Sequence, residues 1–321
     1  MSQQKRIIIE YNINQPIFRL ISLQNNNLLV VLKTLIKCLK SPDYSIENAL
    51  DISINNQGID AVCLWKNNNI IVKTNQKFYF IHINEGNYNF NIISEFNLLE
   101  NIMLKSQKMI SLNNKSNLLI NTIGKFIILN EHQPNLLQIE KVFFGINANS
   151  FIQIRKNEIV CNSSEKKKVY FINSKKGNII STINNINIYI LDIDSFCLVN
   201  KNVLAMGGDL RDGIYLFDIN KRELINHYKE DYRGYNCLLS LGNNKFLGES
   251  YCGRCYGESD DEEEELYCTH FFEFNGEENK IKLYKYSIDR IYELRRVNFI
   301  KFNEANKIAY SSKNNLYIEN I

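Results

Sequence analysis

Three cysteines and one histidine lie close together in the sequence and could form a metal site. Cys252 and Cys255 make a Cys-x-x-Cys pair, and Cys268 and His270 follow in the same segment. Two thiolates at this spacing can share one tetrahedral zinc ion, because a turn brings both sulfurs to one side. Residues two apart on a β-strand point to the same face, which applies to Cys268 and His270. The set can be a zinc staple, ordinary reduced cysteines near a hairpin, or a redox pair, and we expect no cofactor besides this possible zinc.

Between these cysteines lies the strongest block of charge in the chain. It consists of six consecutive acidic residues: Asp260, Asp261, Glu262, Glu263, Glu264 and Glu265. Self-repulsion favours a solvated hairpin tip. The same residues could instead dock onto a basic partner surface, with association rates that fall as salt rises. Calcium binding is disfavoured, because the run lacks the alternating ligand spacing and the glycine of a dedicated loop.

Two further clusters carry charge or aromatic surface. Tyr232, Arg233 and Tyr235 could form an exposed cluster of the kind that makes binding hot spots, or a partly buried aromatic turn. Lys166–Lys168 lies between two predicted strands, where lysines discourage pairing of sheet edges. Phosphate or nucleic-acid contact by these lysines is the alternative, but no interleaved aromatic residues support it.

Nothing in the sequence pairs a nucleophile with a base. The histidines lie in separate parts of the chain, at His82, His132, His227 and His270, and no Gly-x-Ser-x-Gly elbow occurs. The glycine-rich stretch Gly207–Gly213 lacks the Gly-Lys-Ser/Thr end of a phosphate loop. We therefore predict that the protein is not an enzyme.

The elements that hold these residues form a repeat. An apolar strand end, an Asn-rich turn and a second apolar run recur along the chain. The first apolar residues after the turns are Leu28, Ile70, Leu118, Ile159, Val203, Phe246 and Ile308. The successive gaps are 42, 48, 41, 44, 43 and 62 residues, so five of the six lie between 41 and 48. Such spacing indicates a repeat architecture.

Each period also has a consistent interior. An aromatic-rich strand follows the turn strand, as in Lys77–Ile83 and Val169–Asn173, and a further apolar segment comes next, as in Phe90–Phe96. Aromatic and β-branched runs of this length between Asn, Asp and Gly turns are typical of β-strands. Four strands per period of about 44 residues, seven times over, predict an all-β, seven-bladed β-propeller of four-stranded antiparallel blades.

The repeat arithmetic also predicts the domain organisation. Seven periods nearly exhaust the 321 residues, which predicts a single domain over residues 1–321. The gap of 62 residues marks an insertion at about 249–267 in the sixth blade. The last repeat lacks a fourth strand, and Arg6–Tyr11 precedes the first full repeat. We predict that this N-terminal segment is the outer strand of the seventh blade and closes the ring.

Composition excludes several classes of protein. With 45% hydrophobic residues the chain can form a core, and a net charge of +3 does not favour nucleic-acid binding. The N-terminus has a three-residue apolar run, too short for a secretory signal, and no stretch is long enough to span a membrane. We predict a cytoplasmic protein without membrane insertion, whose eight cysteines are reduced.

One repeat resembles those of the WD40 propellers. The sequence GGDLRDGIYLFDINKRELI at Gly207–Ile225 is similar to that family's Gly/Asp turn and following strand, with Phe217-Asp218 where Trp-Asp stands in the family. As architecture the resemblance covers roughly residues 6–321. The family's His-Ser/Thr-Asp-Trp hydrogen-bond network has no residue-by-residue counterpart in this chain. The resemblance implies a scaffold that binds other proteins.

We therefore predict a non-catalytic scaffold that presents its loop faces to partner proteins. A closed ring holds many loops rigidly, which lowers the ordering cost of binding. The insertion Glu249–Tyr267 is expected to supply the distinctive contact. Two alternatives remain: a structural subunit buried in a large assembly, and a propeller enzyme with a site in the central channel.

Overall fold

The computed structural model describes most of the chain. The described residues are 7–10, 17–23, 26–51, 58–66, 69–74, 77–84, 87–96, 108–112, 117–122, 125–144, 146, 148, 150–163, 167–184, 186, 195–208, 212–229, 233–252, 266–287, 299–302, 307–312 and 315–320. Their strands form seven four-stranded sheets, and none of these residues lies in an α-helix. The fold is a seven-bladed β-propeller, which confirms the predicted fold class.

The chain divides into two compact units, residues 1–147 with 298–321, and residues 148–297. The first unit contains blades 1, 2, 3 and 7. Its strands are β1 (Ile7–Glu10), β2 (Arg19–Ser22), β3 (Leu28–Val31), β4 (Leu35–Lys40), β5 (Ser45–Asp51), β6 (Ile59–Leu64), β7 (Asn69–Thr74), β8 (Phe78–Ile83), β9 (Phe90–Phe96), β10 (Met109–Ser111), β11 (Asn117–Thr122), β12 (Lys125–Gln133), β13 (Leu136–Phe144), β26 (Phe299–Lys301), β27 (Lys307–Ser312) and β28 (Asn315–Asn320).

The second unit contains blades 4, 5 and 6. Its strands are β14 (Phe151–Arg155), β15 (Glu158–Ser163), β16 (Lys168–Asn173), β17 (Asn178–Asn184), β18 (Phe196–Leu198), β19 (Val203–Gly207), β20 (Ile214–Asp218), β21 (Glu223–Tyr228), β22 (Arg233–Gly242), β23 (Lys245–Cys252), β24 (Leu266–Asn275) and β25 (Lys280–Ser287). In blades 1 to 6 the four strands pair antiparallel in chain order.

The repeated turn of the sequence joins the first and second strands of each blade. All seven apolar residues that mark the period lie at the first or second position of the second strand, from Leu28 in β3 to Ile308 in β27. These strands are rich in apolar residues because both of their faces are covered. Every residue of β3 and β15 is buried, including the polar Glu158, Asn162 and Ser163 of β15. The spacing read from the sequence therefore located the second strand of each blade.

The seventh blade joins the two ends of the chain. Strand β1 pairs antiparallel with β28, with Ile7 opposite Ile318 and Glu10 opposite Asn315. The sheet order is β1-β28-β27-β26, so β1 takes the place of the missing fourth strand. This confirms the predicted role of the N-terminal segment Arg6–Tyr11, of which the structure describes Ile7–Glu10.

Asparagine supplies several of the turns. Asn26, Asn135, Asn243 and Asn244 have positive φ, between 51° and 62°. Asn tolerates this left-handed region better than most residues other than glycine. At these positions Asn therefore has a conformational reason in addition to any bias in composition.

The outermost strand of each of blades 1 to 6 carries a β-bulge at the same place. In blade 1, Cys38 pairs with Asn48 and Leu39 with Ile46, so Glu47 is the extra residue. The corresponding extra residues of the other five blades are Ile93, Glu140, Ile180, Ile225 and Tyr284. A bulge bends and twists an edge strand, which discourages another strand from pairing with it.

The core consists of apolar layers between neighbouring blades. One layer joins Val160 and Phe171 of blade 4 to Leu204 and Phe217 of blade 5. Similar layers lie between blades 7 and 1, 1 and 2, 2 and 3, and 5 and 6. Within each unit, neighbouring blades thus bury apolar faces against each other. Among the described residues, no helix has the length and apolar character that crossing a membrane requires.

Candidate interaction site

Among the hairpins that join the second and third strands of blades 4 to 6, the longest is the β23–β24 hairpin of blade 6. Its strands have 8 and 10 residues, whereas the corresponding hairpins have strands of 6 and 6 in blade 4 and 5 and 5 in blade 5. The pairing continues to Cys252 opposite Leu266. The strands thus extend into the insertion expected at 249–267, and residues 253–265 between them lie outside the described part of the chain.

A buried hydrogen bond anchors the base of this hairpin. The hydroxyl of Tyr235 in β22 lies 2.7 Å from Nδ1 of His270 in β24, and both side chains are 0% exposed. Gly248 of the intervening strand makes room, because a Cβ there would lie 2.9 Å from the Tyr235 ring. This bond therefore spans blade 6 from its first strand to its third.

Close backbone contacts fix blade 6 to blade 5. The Tyr235 N–H donates to the carbonyl of Gly208 at 2.6 Å, and Gly213 forms a parallel bridge with Gly234. A Cβ on Gly207 would lie 1.9 Å from the Tyr235 carbonyl oxygen. Only glycine permits so close an approach of two strands. The glycine-rich stretch of the sequence is thus a seam between two blades, in agreement with its interpretation as a strand connection.

Aromatic packing continues from this seam into the blade. The Phe246 and Phe272 rings stack with centroids 5.2 Å apart, and Tyr235 meets Phe272 edge to face at 5.4 Å. Tyr228 of blade 5 meets Phe272 in the same way at 5.5 Å. Such pairs add about 0.5–1.5 kcal/mol each beyond area burial. The hairpin therefore extends from a rigid base.

The predicted contact residues divide between this base and the tip. Tyr235 lies in the core, Arg233 begins β22 with only its backbone described, and Tyr232 lies outside the described residues. The acidic run also lies outside them; its residues are Asp260, Asp261, Glu262, Glu263, Glu264 and Glu265. Any contact by the aromatic and basic cluster would thus depend on Tyr232 and Arg233, because the Tyr235 hydroxyl is engaged by His270.

The cysteines form two groups. Cys38, Cys63, Cys161, Cys197 and Cys237 are reduced and buried, one in each of five blades. Burial raises the pKa of the Cys63 thiol to about 12, and it also raises the pKa of Cys161 and Cys197. Thiols in such surroundings are protonated and inert. The second group is the predicted set of Cys252, Cys255 and Cys268, and Cys255 lies outside the described residues.

The structure describes one of the four zinc candidates in full. His270 is placed with its side chain, whereas only the backbone is described at Cys252 and Cys268. Among the residues that the structure describes, no three His, Cys, Asp or Glu side chains are placed to hold a metal ion. The zinc interpretation is thus untested by this geometry.

The predicted lysine cluster lies in the β15–β16 turn of blade 4. Lys167 is exposed with a φ of 50°, Lys168 begins β16, and Lys166 is not among the described residues. The carbonyl of Lys167 accepts a hydrogen bond from the Ile186 N–H at 3.2 Å. Lys167 is thus at a hairpin tip, where the sequence pattern placed it.

Polar links between neighbouring blades were not visible in the sequence. Arg222 of blade 5 donates from Nε to the largely buried Glu158 of blade 4 at 2.9 Å. Asn200 donates to Asn244 of blade 6 at 2.8 Å, and Lys66 of blade 2 pairs with Glu131 of blade 3. The only sequence signal is that each partner lies at a turn or strand end of the repeat. These links fix the blades to each other at their turns.

The first strands of the blades line the inside of a propeller, where a catalytic site would lie. Within β2, β6, β10, β14, β18, β22 and β26 the only carboxylate is Asp60. Its Oδ2 lies 2.7 Å from Nζ of Lys73, whose side chain is 1% exposed. Desolvation lowers the pKa of Lys73, and the hydrogen bond to Asp60 opposes this effect. Asp60 thus neutralises a buried cation.

The outermost strands expose apolar side chains near their bulges. Ile46 is 52% exposed, and Ile92 and Ile93 are each 45% exposed, on blades 1 and 2. On blades 4 and 5 the same position is taken by Ile179, Ile180 and Leu224, which are 36–45% exposed. Single exposed apolar residues are common, whereas large contiguous apolar patches mark contact surfaces.

No protein-family model and no curated protein matches the sequence significantly. Solved structures do match the fold. A chain of a mitotic checkpoint complex is similar over 98% of this chain and 93% of that chain, with a TM-score of 0.74 and 11% identity. The β-propeller domain of Cps50 (Swd1) from Myceliophteria thermophila is similar over 98% of this chain and all of that chain, with a TM-score of 0.68 and 8% identity.

The fold is that of a WD40-like β-propeller. In the repeat that resembles the family most, Phe217-Asp218 ends β20. Asp218 Oδ1 accepts hydrogen bonds from the N–H groups of Asn220 and Lys221 at 2.7 and 2.9 Å. The aspartate therefore shapes the turn that follows the strand, although the Trp of the family pattern is replaced by a buried Phe.

Proposed function

We propose that this WD40-like propeller is a non-catalytic scaffold that binds other proteins through its loops. Its distinctive contact is the tip of the β23–β24 hairpin, with the acidic run Asp260–Glu265 facing a basic partner surface. The observation that carries the proposal is the long hairpin on a rigid base, tied by the Tyr235–His270 bond and the glycine seam. A rigid base reduces the conformational entropy that is lost when a partner binds.

The inner strands and the similar structures support a binding role over catalysis. The one carboxylate within the bounds of the seven first strands neutralises Lys73, so it is not available as a general base without exposing a buried charge. One of the similar structures is a chain of a multiprotein complex. We extend that role to this chain as part of the proposal.

The test is affinity purification of the full chain after the six residues of the acidic run have been replaced by neutral ones. Asp260 and Asp261 are changed to Asn, and Glu262–Glu265 to Gln, which keeps size while removing charge. We expect loss of at least one protein that co-purifies with the wild type. Binding of that protein to the wild type should weaken steeply with salt, because exposed charges are screened over about 10 Å at 0.1 M.

Blade 6 offers a matched control. Glu277 and Glu278 are exposed in the β24–β25 turn, at the end of the blade away from the β23–β24 hairpin. The E277Q/E278Q variant removes acidic charge without touching the tip and should retain every partner. If the six-residue variant also retains the full set of partners with unchanged salt dependence, the acidic tip is not the contact.

A structural role inside a large assembly is the second candidate. The exposed pairs Ile92–Ile93 and Ile179–Ile180 on the outer strands favour it. In the same purification, I92S/I93S or I179S/I180S would then lose partners that the acidic-run variant keeps. That result would assign the contact to the edge of the blades instead of the hairpin tip.

A further inference from the structure

We propose that one end of blades 4 and 5 is a basic surface that binds an acidic segment of a partner protein. The surface consists of four turns, at residues 155–158, 173–178, 198–203 and 218–223. Because neighbouring strands of a blade are antiparallel, the turn after the first strand and the turn after the third lie at the same end. This contact is additional to the acidic hairpin tip, has the opposite charge and does not depend on it.

The four turns concentrate positive charge in a chain that is nearly neutral overall. They contain seven cationic and three acidic side chains, whereas the whole chain has 38 Lys and Arg against 35 Asp and Glu. All five lysines of the turns are exposed: Lys156, Lys175, Lys176, Lys201 and Lys221. An excess of this kind attracts acidic partners and raises the rate of association with them.

Hydrogen bonds join the four turns into one surface. In blade 4, the Ser174 N–H donates to the Asn157 carbonyl at 2.9 Å. In blade 5, Asn220 donates from Nδ2 to Oδ1 of Asn202 at 3.1 Å. Between the blades, Arg155 donates from Nη2 to Oδ1 of Asn220. The lysines therefore extend from turns that are already held together, which reduces the entropy lost on binding.

The three carboxylates of these turns are occupied by neighbouring groups. The buried Glu158 lies 2.9 Å from Nε of Arg222 and 3.5 Å from Nη1 of Arg155. Asp218 accepts hydrogen bonds from N–H groups of its own turn, and Glu223 lies 3.5 Å from Nζ of an exposed lysine. Among the described residues, none forms an ion pair or hydrogen bond with the side chains of Lys156, Lys176 and Lys201.

The conformation of the turn does not itself require a lysine. In blades 1, 2, 4 and 5, the N–H of the fifth residue of the turn between the third and fourth strands donates to the carbonyl of the first, at 2.7–2.8 Å. The fourth residue is exposed in all four blades. It is Asp43 in blade 1 and Asn87 in blade 2, but Lys176 in blade 4 and Lys221 in blade 5. The positive charge is therefore a property of blades 4 and 5 and not of the turn.

An acidic polypeptide fits this surface better than a nucleic acid does. None of the four turns contains an aromatic residue on which a base could stack, as single-stranded nucleic acids require. The net charge of +3 also lacks the footprint of a protein that binds duplexes by phosphate contacts. Carboxylates spaced along an extended segment can instead pair with lysines on separate turns.

The test measures binding of a fluorescein-labelled, glutamate-rich peptide to the full chain by fluorescence anisotropy. We expect saturable binding that weakens as salt rises, and no binding of the same peptide with Gln in place of Glu. The K176E/K201E variant should bind the peptide about tenfold more weakly at low salt, because two attractions become repulsions and each exposed pair contributes little. Its far-UV spectrum should match that of the wild type.

The matched control is K167E/K229E, which also reverses one exposed lysine in blade 4 and one in blade 5, but at the opposite end. It changes the net charge equally and should bind the peptide as the wild type does. Equal weakening in the two variants overturns the proposal, as does the absence of saturable binding to the wild type.

Two other occupants would also contradict it. Tighter binding of a DNA duplex or of phosphatidylserine vesicles at the same salt would assign the surface to phosphate groups. A wild-type dimer that K176E/K201E dissociates would assign it to the acidic run of a second copy. Neither variant alters Asp260–Glu265, so a failure here leaves the function proposed for the hairpin tip unaffected.

Discussion

At the scale of single residues, the close contact between blades 5 and 6 depends on Gly207, which has no side chain. Gly207 lies so close to β22 that a Cβ would be 1.9 Å from the Tyr235 carbonyl oxygen and 2.9 Å from its carbonyl carbon. Both contacts are with backbone, which cannot rotate away as a side chain can. The same Tyr235 anchors the long hairpin through His270, so a shift there moves the base of the candidate site.

We expect G207A to lower the free energy of unfolding by about 3 kcal/mol, at the upper end of the usual cost of overpacking. Urea denaturation followed by far-UV circular dichroism measures this change. The control is G276A, because a Cβ there would meet only Phe274 Cε1 at 3.8 Å. An exposed turn substitution of this kind should change stability by less than about 0.5 kcal/mol. Equal midpoints for the two variants would refute the role of the seam.

Some properties of single residues were predicted from the sequence, but their long-range side-chain contacts were not. The sequence analysis predicted reduced cysteines, and the five with described side chains are reduced. The Tyr235–His270 bond was not predicted, because its partners are 35 residues apart and come together only through strand pairing. The same holds for Arg222 and Glu158, 64 residues apart. Such contacts depend on how the strands of one blade pair and on how neighbouring blades pack, and the pattern of one repeat does not encode either.

At the scale of elements, the fold was predictable because each blade repeats one pattern. The apolar second strand and the turn before it recur at nearly constant spacing. The strand is apolar because both of its faces are buried, and in blades 1 and 6 the turn contains Asn residues with positive φ, namely Asn26, Asn243 and Asn244. The bulges of the outermost strands were missed, although they recur in six blades. A bulge adds one residue without changing the apolar pattern visibly, so periodicity alone does not reveal it.

Strand β1 gives a prediction at this scale. It is the fourth strand of blade 7 and covers the edge of β28, whose Leu316 and Ile318 are buried in the core between blades 7 and 1. Deleting residues 1–12 removes four paired residues, whose hydrogen bonds contribute about 1 kcal/mol each. We expect the Tm measured by differential scanning fluorimetry to fall by roughly 5–10 °C.

Two controls make this result specific to the strand. Deleting only residues 1–5 leaves β1 in place and should keep the Tm of the full chain. A synthetic peptide of residues 3–12 should raise the Tm of the protein that lacks residues 1–12, because it can occupy the free edge of β28. A Tm that does not change on deletion of residues 1–12 would contradict the pairing.

At the scale of the whole molecule, seven blades imply cooperative unfolding. In a closed propeller every blade has two neighbours, so the loss of one blade exposes the apolar faces of two others. We therefore propose that residues 1–321 behave as one domain, although the chain also divides into two compact units by its internal contacts. The lone Trp65 allows this to be tested, because it lies in blade 2 of the first unit and is 5% exposed.

Trp65 fluorescence and far-UV circular dichroism should report one transition with the same midpoint in urea. Trp65 packs edge to face on Phe80 at 6.2 Å, with the ammonium of Lys66 5.6 Å from its ring, so its emission reports local packing in blade 2. The sharper comparison uses G207A, which lies in the second unit. If the propeller is one cooperative domain, this variant shifts the Trp65 transition by as much as it shifts the dichroism, because distant probes report the same two-state equilibrium. A dichroism curve with an early phase, beside a Trp65 transition that stays at the wild-type midpoint, would instead assign the two units to separate domains.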